Sequence, residues 1–222
     1  MRAATLSWTE ASGWATPLPV TGNESLVFYF GPRERLQKGD AWLNSLRATF
    51  GAAHLVGCST GGQISGDEIV DDAIAALAFS FDTTRLRLAC EGISDAGASR
   101  ACGEALGRRL AADDLAGIFV LSDGLNVNGS ALVAGIGAGA GRPVPITGGM
   151  AGDGADFHET LVGADAAPRG NLVAAIGFLW CRSPDRPWQR GRLGSLRPAP
   201  PRHQIFGKYP VRARRRAGAR SL

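Results

Sequence analysis

The stretch "LVGCSTGGQISGD" (residues 55–67) closes a short apolar run with a loop of glycine, serine and threonine. That pattern is a buried strand followed by a turn. A second stretch, "PITGGMAGDG" (residues 145–154), has the same form. A shift of 91 residues lays one over the other without a gap; it also superposes Phe28 on Phe119, Leu55 on Ile146 and Gly57 on Gly148. Two βαβ units look alike by default, but gapless register together with paired glycine loops indicates a duplication.

Working outward, each unit reads strand, loop, helix, strand, glycine-rich loop, apolar strand. "SLVFYFG" (residues 25–31) is the first strand, stopped by Gly-Pro. In "GDAWLNSLRATFG" the spacing of Leu43, Leu46 and Phe50 predicts a helix with Asp40 as N-cap. "DAIAALAFSF" and "RLRLA" are further strands, and residues 94–114 form a helix capped by Ser94 or Asp95. "AGIFVLSDG", "ETLVGA" and "GNLVAAIGFLW" are strands, and "NGSALVAGIGAGAG" is a helix weakened by its glycines. The predicted fold is α/β: a mixed sheet built from two duplicated β-α-β-loop-β units. Side by side, the units place their glycine loops at one sheet edge, where ligands bind in open α/β sheets.

Residues 1–24 read as a loose lead-in, 25–180 as one domain, and 181–222 as a disordered arginine- and proline-rich tail. Charge divides at the same point. Residues 1–180 hold twelve basic and nineteen acidic side chains; residues 181–222 hold twelve basic and one acidic. The acidic body argues against a specific nucleic-acid partner, and the tail supplies only weak, non-specific contact at low salt. No apolar run reaches membrane-span length and no secretory pattern opens the chain. Cys58, Cys90, Cys102 and Cys181 form no CxxC, and no histidine stands at ligand spacing, so no metal or cofactor is expected. Few scattered cysteines suit a reducing cytoplasm.

Three places carry candidate chemistry. In "GCSTGG" (residues 57–62), Gly57 and Gly61 free backbone N–H groups for an anion, and Ser59 and Thr60 offer hydroxyls; the alternative is a tight turn. It is neither a Walker loop nor a GxSxG elbow. Cys58 is a buried structural thiol or a nucleophile; His54, four residues away on one strand, is too distant to be its base. In "LSDGLNVNGS" (residues 121–130), Asp123 and Asn126 clamp a small ligand or make turns, with Asn128 or Ser130 capping the next helix. In "GGMAGDG" (residues 148–154), Gly148 and Gly149 offer backbone N–H groups, and Asp153 is a ligand group or an Asx-turn residue. Asp123 or Asp153 would meet an amine on the ligand. These groups suit binding better than catalysis, with a Cys58 or Ser59 nucleophile as the alternative.

Together, "LVGCSTGGQISGDEIVDDAIAALAFS", "VLSDGLNVNGSALVAGI" and "PITGGMAGDGADFHETLVGADAAPRGNLVAAIGF" resemble the N-terminal domain of the FIST family (F-box and intracellular signal transduction proteins), in the family's order. The resemblance spans residues 25–178. It implies a bacterial sensory domain for amino acids or related metabolites, with signalling proteins as partners and no established enzyme chemistry. It also implies continuation into a C-terminal domain, which the sequence after Phe178 does not resemble. Read one base later, degenerate codons for residues 207–215 permit the family-like peptide Gly-Asn-Ile-Leu-Tyr-Glu-Leu-Asp. Upstream, residues 187–193 permit "HGSGGGW" in the same shift. The expectation is a frame change near Phe178 that truncates the family pattern and leaves apolar surface of the body uncovered.

Overall fold

A computed structural model describes residues 1–14, 24–38, 41–65, 68–70 and 72–180. Its elements are β1 (Arg2–Thr9), β2 (Gly13–Trp14), β3 (Glu24–Gly31), α1 (Arg33–Gln37), α2 (Ala41–Phe50), β4 (His54–Ser59), β5 (Gln63–Ser65), β6 (Glu68–Val70) and β7 (Ile74–Phe81). There follow β8 (Thr84–Gly92), a 3₁₀ turn (Ala96–Ala98), α3 (Ser99–Leu110), β9 (Leu115–Ser122), α4 (Gly129–Ala140), β10 (Ile146–Met150), β11 (Val162–Ala164) and β12 (Leu172–Trp180). The predicted Asp40 cap and the arginine-rich stretch 181–222 lie outside the described residues.

The α/β class holds, with two mixed sheets, each built mainly from one half of the chain. One sheet runs β11-β4-β3-β7-β1-β2 and the other β10-β9-β12-β8; a separate hairpin pairs β5 with β6. The duplication is visible in the register. Val27 faces Leu55 across the parallel pair β3–β4, and Ile118 faces Ile146 across the parallel pair β9–β10, both shifted by 91 residues. Beyond that the offset changes. Val27 faces Ala78 while Ile118 faces Gly177, so β12 repeats β7 at an offset of 99. The second unit is longer because residues 151–171 form a loop that also carries β11.

The start of the chain corrects the sequence reading. Residues 2–9, expected in a loose lead-in, form β1 and pair antiparallel with β7 from Arg2↔Ser80 to Trp8↔Ile74. In the second unit β8 pairs with β12 in the same way. The opening strand of each unit is thus β1 or β8, and the repeat begins earlier than "SLVFYFG".

Strand alternation builds the layers. On β3, Val27 and Tyr29 face outward onto Trp42 and Leu46 of α2, whereas Leu26, Phe28 and Phe30 face the other sheet. On β9, Ile118 and Val120 face α3 and α4, and Phe119 and Leu121 face the first sheet. Helices therefore cover both outer faces, and the sheets share an apolar core rich in phenylalanine.

The glycines in α4 have a packing reason. A methyl group at Gly135 would stand 2.2 Å from Arg100 O, and one at Gly103 of α3 would stand 2.3 Å from Leu132 O. Gly107 and Gly139 repeat this contact one turn along, so the helices meet backbone to backbone. Asn128 caps α4, its side chain accepting from Ala131 N–H at 3.0 Å, and Asp95 caps the turn before α3.

Candidate functional site

The loops that follow β4 and β10 touch. Gly152 N–H donates to Ser59 C=O at 2.9 Å, and a Cβ on Gly61 would stand 3.0 Å from Gly154 Cα. Glycine at 61 keeps this approach open. The short segment after β3 lies alongside. Residues 32–34, 60–61 and 153–156 line a cleft of about 230 Å³ at the carboxyl ends of β3 and β4.

The side chain of Arg33 is only 16 % exposed. Its Nη2 lies 2.9 Å from Glu34 Oε1 and 3.4 Å from Asp156 Oδ2, and its Nη1 lies 3.3 Å from His158 Nδ1. The hydrogen bond to Glu34 raises the guanidinium pKa above its ordinary value. The Glu34 carboxyl is held low, first by a hydrogen bond from its own backbone N–H and then by Arg33. The cleft therefore presents the Arg33 guanidinium beside the ionised carboxylate of Glu34.

Of the residues the sequence singled out, Thr60, Gly61 and Asp153 reach this cleft. Asp153 does so as an organiser of the loop. Its Oδ2 accepts from His158 N–H (2.7 Å) and Glu159 N–H (3.0 Å), and its Oδ1 accepts from Phe157 N–H (3.2 Å). The N–H groups of Glu159 and His158 hold its carboxyl below the usual range. The turn reading of Asp153 is the one its contacts match. Phe157 sits at the loop tip with φ 50° and an exposed ring.

The other candidates sit elsewhere. Gly57 and Gly148 lie within strands, where a Cβ would stand 2.0 Å from Tyr29 O and 1.8 Å from Val120 O respectively. Their bare Cα atoms admit a neighbouring strand. β4 extends through Ser59, so the front half of "GCSTGG" is strand and not loop. Cys58 is 2 % exposed in the core between the sheets, and burial pushes its thiol up to about 12. Ser59 is fully buried, and its Oγ accepts from Leu161 N–H at 2.9 Å. Neither side chain is presented as a nucleophile. Asp123 is also buried; Oδ1 accepts from Leu125 and Asn126 N–H, and Oδ2 from Asn171 N–H. Asn126 Nδ2 donates to Asn171 Oδ1 at 2.9 Å. These two form a turn that anchors the start of β12, apart from the cleft lining. Gly149 lies on β10 with nothing within 4 Å of its Cβ position.

The sequence reading missed Arg33, Glu34 and Asp156. The available signal was "GPRER", directly after the first strand, where Gly-Pro served only as a stop. At the equivalent end of a βα unit a charged residue is well placed to meet a ligand.

Fold and cleft together define an internally duplicated α/β domain with a polar recess where its repeated loops converge. Residues 25–205 match the FIST N domain, and the chain belongs to that family, whose domains serve as sensory domains in signal transduction. The match runs past Phe178 into the arginine-rich stretch, so the suggested frame change rests on the gene sequence alone. No curated protein is similar enough in sequence to stand as a relative. No described helix is long and apolar enough to cross a membrane.

Proposed function

We propose that this domain senses a small zwitterion, an amino acid or a close metabolite, bound in the cleft between residues 32–34, 60–61 and 153–156. The observation that carries the reading is the Arg33 guanidinium set beside Glu34 and Asp156 in a recess of about 230 Å³. A ligand carboxylate would take the guanidinium, as planar bidentate pairing favours. Its ammonium would take Asp156 or Glu34. Thr60 and the Gly61 and Gly154 backbone would supply the remaining polar contacts. Asp153 contributes by holding the loop in shape, and signalling proteins would read the bound state.

The test is a calorimetric screen of the amino acids against the full chain, repeated with Arg33→Met and Asp156→Asn. Arg33→Met should weaken binding at least tenfold. Asp156→Asn should weaken amino acids more than their deaminated analogues. Affinity unchanged in Arg33→Met, or no binder in the screen, would sink the proposal.

A further inference from the structure

The outer edges of the two sheets differ although the strands that form them are repeats. β4 is covered on its outer side by β11, with Val162–Ala164 pairing antiparallel to residues 56–58. The equivalent residues of β10 are 147–149, and among the described residues β10 ends its sheet. An edge strand presents a row of backbone N–H and C=O groups, which proteins usually guard with charge, proline or a bulge. The strand "ITGGM" carries no such guard.

The surroundings are equally bare. Residues 125–151 include one charged side chain, Arg142, where the chain average of 20 % would give about five. Arg142 donates to the carbonyls of Ala112 and Asp113, beyond the end of α4. Val133 on α4 is 43 % exposed and Met150 on β10 is 48 % exposed. A methyl group at Gly129, one helical turn before Val133, would lie 3.9 Å from Met150 Sδ, so helix and strand share this neutral face.

We infer that this face joins two copies of the chain, β10 pairing with β10 of the partner about a twofold axis to make one continuous sheet. Three observations select a second copy as the occupant. A twofold axis pairs a strand with itself in the antiparallel sense, which is the sense in which β11 covers β4. An isologous contact sets a patch against itself, and a neutral patch meets no like charge there, whereas the rest of residues 1–180 is predominantly acidic. Gly149 has nothing within 4 Å of its Cβ position among the described residues, so the strand is open there, while the bare Cα of Gly148 makes room for β9 of its own sheet.

Sedimentation velocity of the full chain over about a hundredfold concentration range tests this, since mass action governs a reversible dimer. The wild type should move from the 23.1 kDa monomer to twice that mass. Met150→Lys and, separately, Val133→Lys should raise the dissociation constant at least tenfold with unchanged circular dichroism. Phe157→Ser, an exposed apolar change elsewhere, should leave it unaltered. Gly149→Cys should give a dimer cross-linked by a short bis-maleimide, which the wild type, with its exposed Cys90 on β8, should not. A wild type that stays monomeric, lysine variants that still dimerise, or open-ended growth beyond two copies would each overturn the inference.

Discussion

Phe28 and Phe119 stand 91 residues apart in the chain and 4.6 Å apart between ring centroids, tilted by 53°. Each is the same position of its repeat, so the duplicated halves meet at equivalent residues. The rings bring β3 and β9 together across the core, and Phe79, Phe81 and Phe178 extend the cluster. A pair at this distance contributes about 0.5–1.5 kcal/mol beyond its buried area. Phe28→Leu and Phe119→Leu should each lower the urea midpoint, and the double variant should be less destabilised than the sum by about that coupling. Strict additivity would remove the pair as the joint between halves.

Adjacent glycines on β10 should behave in opposite ways. Gly148→Ala places a methyl group 1.8 Å from Val120 O and should cost more than about 2 kcal/mol, as overpacking against fixed backbone does. Gly149→Ala meets nothing within 4 Å and should stay within about 0.5 kcal/mol of wild type. Gly57→Ala, facing Tyr29 O at 2.0 Å, should resemble Gly148→Ala. Thermal melts of the three variants decide between a packing role and a ligand-contacting role for these positions.

The pattern of strands and the repeat were legible because apolar runs of strand length recur at a fixed offset, as Leu55–Gly57 and Ile146–Gly148 do. β1 was hidden because "RAATLSWT" mixes small and polar residues and buries only Leu6 below the surface. Its partner β7 lies some seventy residues away, beyond the reach of local periodicity. The site was half legible. Local sequence records that glycine is required at 57, 61 and 148, but not whether its bare Cα faces a ligand, a loop or a carbonyl oxygen. Three-dimensional contact assigns only Gly61 to the cleft. Arg33 escaped because its meaning depends on Asp156, more than a hundred residues distant.

Tyr29 lies under two glycines of neighbouring strands. Its ring covers Gly57, and a Cβ on Gly163 would stand 1.8 Å from its hydroxyl oxygen. That hydroxyl is buried with no hydrogen-bond partner among the described residues, and burial drives its pKa far above the ordinary phenol value. An orphaned buried hydroxyl carries a desolvation penalty of about 1–3 kcal/mol. Tyr29→Phe should therefore match or exceed wild-type stability in urea, by up to about 1 kcal/mol. A clear loss of stability would mean that the hydroxyl has a partner, such as a bound water.

Cys58 and Cys90 should separate by reactivity, since the thiolate is the reactive form. Cys58 is buried with its thiol pushed up to about 12, whereas Cys90 is exposed on β8. In native protein at pH 8, brief alkylation followed by peptide mapping should label Cys90 and leave Cys58 untouched until urea unfolds the chain. Labelling of Cys58 at a rate comparable to Cys90, with a midpoint near neutral pH, would reopen the nucleophile reading.

At the opposite end of β4 from the cleft, His54 and Asp165 tie β11 to the strand it covers. His54 Nδ1 lies 2.7 Å from Asp165 Oδ2, while Asp165 Oδ1 accepts from Leu55 N–H at 2.7 Å and from Arg47 Nη2 at 3.1 Å. The bond to Asp165 raises the pKa of His54 above its ordinary 6.5, outweighing burial. Burial pushes the Asp165 carboxyl up, but the bonds from His54, Leu55 and Arg47 outweigh it and leave the value below 3.8. A raised histidine stabilises fully below its unfolded pKa and loses that contribution as pH climbs through the folded value. A lowered carboxyl does the reverse, losing its contribution as pH falls through its own folded value. The pair is thus strongest between about pH 4 and 6.5, the two unfolded values. Stability should decline from pH 6 to pH 8 by less than about 1 kcal/mol, because both groups are partly exposed. His54→Gln should flatten that segment of the profile in urea titrations. An unchanged slope in His54→Gln would place the pH dependence on another group.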